Sequence, residues 1–135
     1  MNIVLIANTE KNELLSQFCV NQSGVLSQQN LYATATTGKW VENATGMHVN
    51  RLLSTEQGGY QQVAAYVAYG EVDMVIFFRD PQDLDEISRD ENYLLCTCDK
   101  CGVPVATNIA TAELLIRAVQ KDASGWRSIL GNIHK

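Results

Sequence analysis

Thr34, Thr36 and Thr37 crowd into the stretch "YATATTG", residues 32–38, where a helical pattern takes over from a β-branched run. Hydroxyls, unpaired amide N–H groups and the positive end of a helix dipole gathered at one point suit a small oxyanion such as phosphate. The same residue types also serve as helix N-caps and strand residues, and spacing alone leaves both roles open. A second stretch, "STEQGGYQQV" from Ser54, poses a sharper question. Gly58 and Gly59 open a helix as an anion site requires, yet the next residue is the phenol of Tyr60. It shares a helical face with Val63 and Val67, which suits packing. Its hydroxyl also suits a donor to a bound ligand. A base is the costly role: a free tyrosine has a pKa of about 10, so poising it near neutrality takes about three units, roughly 4 kcal/mol. A helix N-terminus supplies at most about 2 kcal/mol of that. Tyr60 is therefore not expected to be a base.

The elements that must position these residues follow from hydrophobic pattern. "NIVLIA" (2–7) and "DMVIFF" (73–78) read as strands buried on both faces, and "LYATA" (31–35), "RLLS" (51–54) and "VPVATN" (103–108) as further strands. Helical spacing covers 12–20, 37–44 with a stop at Gly46, the segment after Gly58-Gly59, about 91–100, and 111–120. Alternation of this kind means βαβ units. It predicts one α/β domain over residues 1–135, a three-layer, doubly wound, mostly parallel sheet. Ligands of such sheets sit beyond the carboxyl ends of the strands. That rule draws attention to Asn8, Thr9, Thr34, Thr36, Thr37, Gly38, Ser54–Gly59, Asp80, Asn108 and Thr111.

Composition narrows the partners. With 46% hydrophobic residues in 135 the chain has material for a core, while a net charge of −5 and scattered basic residues argue against nucleic acid and anionic membranes. No apolar run approaches the roughly 18 residues of a membrane span. No leader pattern precedes the first strand, so a cytoplasmic location is expected. Cys96, Cys98 and Cys101 invite a zinc reading, but three thiols fall short of four ligands, and on a helix the first two point about 200° apart. Buried or half-buried helix cysteines are expected there, with no metal. His48 reads as a loop residue beside the threonines and His134 as tail.

Taken together, "LYATATTG", "ATGMHVN", "GGYQQV", "VIFFRDP" and "VPVATNIATAELLI" resemble, in order and spacing, the methylglyoxal synthase family, over about residues 2–120. The resemblance implies conversion of dihydroxyacetone phosphate to methylglyoxal and phosphate, without a cofactor. A carboxylate removes a proton beside the carbonyl, an enediolate forms, and phosphate is expelled. Such chemistry needs an anion clamp, a base in reach of the carbon-bound proton, and donors for the enediolate oxygens. Related domains serve as a regulatory module of carbamoyl phosphate synthetase and as part of a purine-biosynthesis enzyme, so fold alone does not choose a function.

Carried over by motif, the phosphate-contacting residues are Thr34, Thr36, Thr37 and Ser54, with Gly58 and Gly59. The first loop, "ANTEKN", departs from the family. Asn8 and Thr9 stand at its His-Asp pair and Asn12 at its phosphate lysine, with Lys11 one residue off. The family's base, the aspartate of Gly-Gly-Asp-Gln-Gln, is matched by Tyr60. Asp80 and Asp90 match two active-site aspartates, Ile87 takes the place of a histidine between them, and Glu56 replaces a small residue. Arg127 is the best match for a C-terminal arginine that reaches phosphate, from a neighbouring subunit in some members. Members are homo-oligomers, often hexamers, and the resemblance implies a homo-oligomer here. Two readings result: a binder of dihydroxyacetone phosphate, a similar phosphorylated metabolite or inorganic phosphate, with its proton-transfer groups largely lost; or an active synthase in which Asp80, Asp90 or Glu56 replaces the base.

Overall fold

A computed structural model describes residues 1–81, 88–121 and 125–133. Strands β1 (Asn2–Ala7), β2 (Asn30–Ala33), β3 (Asn50–Arg51), β4 (Met74–Phe78) and β5 (Val105–Ala106) form one sheet. Its order is β3-β2-β1-β4-β5, and every pairing is parallel rather than mostly so. Between the strands run α1 (Asn12–Asn21), α2 (Ser23–Leu26), α3 (Ala35–Thr45), α4 (Gly59–Ala68), α5 (Ser88–Cys101), α6 (Ile109–Gln120) and α7 (Gly125–Ile133). Single 3-10 turns at Thr9–Lys11 and Thr55–Gln57 precede α1 and α4.

Alternation along β1 divides the core. Ile3, Leu5 and Ala7 face Leu15 and Phe18 of α1, Val41 of α3 and Ile116 of α6. Val4 and Ile6 face Tyr60, Val63 and Val67 of α4 and Leu94 and Cys98 of α5. Helices thus cover both faces, which is why β1 and β4 are continuous apolar runs. The chain leaves β1 toward β2 and β3, then returns to lay β4 on its other side. The β1/β4 boundary is therefore the topological switch point where ligands of such sheets gather.

Several boundaries differ from the sequence reading. The second strand stops at Ala33, Thr34 is the extended N-cap, and the helix starts at Ala35 rather than Thr37. β-branched threonines look like strand by composition, but here they build a helix start. The edge strands β3 and β5 pair over only two residues each, not over 51–54 and 103–108. α5 runs from Ser88 to Cys101 rather than about 91–100. Neither α2 nor α7 is marked by the pattern; α7 is tied down by Trp126, whose Nε1 donates to the Gly102 carbonyl at 3.2 Å.

The cysteines separate by burial. Cys98 is buried, whereas Cys96 and Cys101 are exposed, contrary to the expectation of buried or half-buried thiols. Burial pushes the Cys19 and Cys98 thiols up to about 12. Two thiols, Cys96 and Cys101, are therefore expected to react with a disulfide reagent in the native protein and four after unfolding, a count that absorbance titration checks. The same shift sets a pH dependence. Above about 8.5 the unfolded chain loses thiol protons that the folded chain keeps. Stability is therefore expected to fall as pH rises from that point, and to recover some of the loss in Cys98→Ala. Among the described residues no group of three or more His, Cys, Asp or Glu side chains gathers to hold a metal, and no helix is long and apolar enough to cross a membrane.

Candidate functional site

Asn8, the residue after β1, is held from four directions. Its backbone N–H donates to the Phe78 carbonyl at 3.0 Å, and its Oδ1 accepts from the Asp80 N–H at 2.6 Å. Its side-chain amide donates to Glu91 Oε1 at 2.7 Å and lies 3.4 Å from the Tyr60 hydroxyl. That hydroxyl in turn donates to Glu91 Oε1 at 3.2 Å. Asn8, Tyr60 and Glu91 thus close a buried triangle at the carboxyl end of the sheet. The ring of Tyr60, 1% exposed, packs on Phe77 with centroids 5.5 Å apart. Arg79 reaches the other Glu91 oxygen at 3.5 Å, while its buried Nε has no hydrogen-bond partner among the described residues.

Beside the triangle lies a cavity of about 60 Å³. Its walls include Asn8, Thr9 and Asn12 from the first loop, Thr34, Thr36 and Thr37 from the start of α3, and Thr55, Glu56 and Tyr60 from the approach to α4. The first intrahelical bond of α3 runs from Gly38 N to Thr34 O, so the amides before Gly38 have no carbonyl partner inside the helix. Thr34 does not cap them with its side chain. Its hydroxyl has no hydrogen-bond partner among the described residues, although Thr34 is only 2% exposed. Thr37 differs: its hydroxyl accepts from the Ala7 N–H at 3.2 Å and donates to Asn12 Oδ1 at 2.8 Å. Its proton is committed inside the protein.

The paired glycines have a structural reason. Gly58 takes φ 101°, a left-handed conformation that favours glycine. Gly59 donates its N–H to the Ser54 carbonyl at 2.8 Å, so that amide is not offered to a ligand. A Cβ on Gly59 would stand 2.6 Å from the Leu53 carbonyl oxygen.

Of the residues singled out by sequence, the structure gathers Asn8, Thr9, Asn12, Thr34, Thr36, Thr37, Glu56 and Tyr60 around one cavity. Ser54, Gly58, Gly59 and Lys11 stand nearby without lining it. Asp80 contributes its backbone N–H to Asn8 and is half-buried, as is Asp90 in the first turn of α5; neither lines the cavity. His48 is at the far end of α3, roughly 15 Å along the axis from the threonines, with Nε2 3.3 Å from Asn50 Oδ1. Ile87, His134 and the Arg127 side chain lie outside the described residues. Glu91 and Arg79 were not anticipated. A signal for Glu91 existed: it precedes Leu94 and Cys98 by three and seven residues, an acid on an otherwise apolar stripe.

A five-stranded parallel sheet of this order, with a threonine-rich helix start at its carboxyl end, defines the class. A model of the MGS-like domain family matches residues 22–107. The chain is 48% identical over 130 residues to the methylglyoxal synthase of Caldicellulosiruptor saccharolyticus, covering 96% of this chain and 92% of that one. It is 44% identical over 130 residues to the methylglyoxal synthase of Oceanobacillus iheyensis, covering 96% and 93%. The crystal structure of methylglyoxal synthase from Elizabethkingia anophelis superposes with a TM-score of 0.81 at 32% identity, covering 93% of this chain and 78% of that one. The chain belongs to the methylglyoxal synthase family.

Proposed function

We propose that this protein is a methylglyoxal synthase-like binder of a small phosphorylated metabolite, dihydroxyacetone phosphate or a similar compound, in which catalysis is weak or absent. One observation carries the reading. The position that the resemblance gives to the base holds Tyr60, and its proton is already donated to buried Glu91. A base must accept a proton from substrate carbon. A phenol that keeps its own proton in an internal hydrogen bond is poorly placed to do so. The neighbouring hydroxyl of Thr37 is likewise committed, to Asn12, which removes a donor from the developing enediolate oxygen. What persists is the oxyanion end: the amides of α3 with the hydroxyls of Thr34 and Thr36. We assign the phosphate to that end.

The second reading, an active synthase with Asp80, Asp90 or Glu56 as acid or base, is favoured by a single feature, the presence of Glu56 on the cavity wall. Asp80 and Asp90 lack that position, and Glu91 meets the cavity only behind Tyr60. The proposal also takes residues 1–135 as one cytoplasmic domain, and as a homo-oligomer because the resemblance implies one.

Thr34→Val tests the phosphate assignment. The change removes a buried hydroxyl that has no hydrogen-bond partner among the described residues, so stability is expected to be unchanged or to rise. Affinity for inorganic phosphate, followed by backbone amide shifts in an NMR titration, is expected to fall about tenfold, the worth of one charge-assisted hydrogen bond. Unchanged affinity in Thr34→Val and in Thr36→Val would remove the cradle from the account.

A further inference from the structure

Asn12 opens α1 at the position that the resemblance gives to a phosphate lysine. It is 2% exposed and lines the cavity, whose described walls carry no lysine, arginine or histidine. A chain of hydrogen bonds that starts in the sheet sets the direction of its side-chain amide. The Ala7 N–H, at the end of β1, donates to Thr37 Oγ1 at 3.2 Å. Thr37 is 1% exposed, so its hydroxyl has to place its own proton inside the protein, and it donates to Asn12 Oδ1 at 2.8 Å. The nitrogen end of the same amide meets only the Thr9 carbonyl, at 3.4 Å. Its second N–H has no acceptor among the described residues. Because Asn12 is shut off from bulk water, the cavity is where that N–H finds one. A main-chain donor, which cannot reverse, thus fixes the polarity of the whole chain from Ala7 through Thr37 to Asn12.

We propose that Thr37 is a positioning residue that makes Asn12 a phosphate donor. Thr37 Oγ1 does not itself bond the ligand; it holds Asn12 Oδ1, so that Nδ2 joins Thr34 and the α3 amides in donating to the oxyanion. This rests on the phosphate-binding reading above and deepens it by assigning the roles of two residues in that site. The grip is made of neutral donors oriented in advance by the fold. Without the Thr37 hydroxyl, no other hydrogen bond among the described residues holds the amide oxygen, and the amide is free to present Oδ1 to the ligand. An oxygen there repels sulfate, which has no proton, but accepts from monohydrogen phosphate, which has one. Loss of the hydroxyl therefore changes the choice between the two anions, which a loss of packing alone does not.

The test is an NMR titration of the whole chain with inorganic phosphate and with sulfate, at about pH 8, where phosphate keeps one proton and sulfate none. In the parent protein both anions are expected to shift the side-chain NH2 signals of Asn12 together with the backbone amides of residues 35–37. In Thr37→Val, sulfate affinity is expected to fall about tenfold and phosphate affinity about threefold. Thr37→Ser keeps the hydroxyl and is expected to stay within about twofold of the parent for both anions. Equal losses for the two anions in Thr37→Val reduce Thr37 to a packing role and overturn the proposal, as does a Thr37→Ser protein that behaves like Thr37→Val. A parent protein that binds phosphate but not sulfate has an acceptor where the proposal puts a donor, and overturns it too. The parent also carries the test if Thr37→Val does not fold: Asn12 signals that stay still while residues 35–37 move remove Asn12 from the site. If neither anion shifts any of these signals at about tenfold excess over about 1 mM protein, the phosphate-binding reading falls as well.

Discussion

Replacing Tyr60 with aspartate is expected to destabilise the protein by about 4 kcal/mol, and not by itself to create a working base. The ring is buried against Phe77, and its removal leaves a void of the kind that costs about 3–5 kcal/mol when a large aromatic is truncated. The new carboxylate would also lie close to Glu91, whose Oε1 is 3.2 Å from the present hydroxyl. Two carboxylates in one buried site resist joint ionisation. Glu91→Leu relieves that conflict and refills part of the void. The double variant Tyr60→Asp/Glu91→Leu is therefore expected to be more stable than the sum of the single changes by about 1–2 kcal/mol, within the range seen for residues in direct contact. Urea unfolding of the four proteins measures this coupling. Strict additivity would mean that Tyr60 and Glu91 are not one unit. Any return of methylglyoxal formation is expected in the double variant rather than in Tyr60→Asp alone.

Gly59→Ala is the second large effect, about 3 kcal/mol, at the upper part of what overpacking costs. Its Cβ would meet the Leu53 oxygen at 2.6 Å and the Ser54 oxygen at 2.9 Å, both backbone atoms that cannot swing aside as a side chain does. Relief requires the loop to move, which breaks the Gly59 N–H bond to Ser54 and shifts Thr55 and Glu56 on the cavity wall. Gly58→Ala meets no such contact and pays only for its left-handed backbone, about 1–2 kcal/mol. The order of the two denaturation midpoints is the check. A Gly59→Ala protein more stable than Gly58→Ala contradicts the close approach.

The sheet was legible because β1 and β4 are covered on both faces and carry uninterrupted apolar runs. Where pairing is short, as at β3 and β5, the sequence overstated the strands. The threonine cluster was legible as a helix start at the end of a strand, but it hid a division of labour: among the described residues Thr34 keeps its hydroxyl open, while Thr37 commits its hydroxyl to Ala7 and Asn12. No spacing rule separates those two cases. Paired glycines before a helix suggested an anion loop, yet Gly59 is required by carbonyl oxygens within 3 Å of its missing side chain. Glu91 passed unnoticed because it lies one residue from Asp90. On a helix one position is a turn of about 100°, so the two acids face different ways, and Glu91 joins the stripe of Leu94 and Cys98 beneath Tyr60. α7 escaped notice because glycine and serine break its helical signal; the indole hydrogen bond of Trp126 to Gly102 marks its seat on the fold.

The release of methylglyoxal and phosphate from dihydroxyacetone phosphate by the purified, unaltered chain bears most directly on the idea of a retained cradle without its proton-transfer groups. A general base alone is worth about 10² to 10⁴ in rate, and here its partners are committed elsewhere as well. The expected result is phosphate-dependent amide shifts together with a rate within about tenfold of spontaneous decomposition. A turnover number in the ordinary enzymatic range, roughly 1 to 10³ per second, would contradict the account and return the protein to the active synthases.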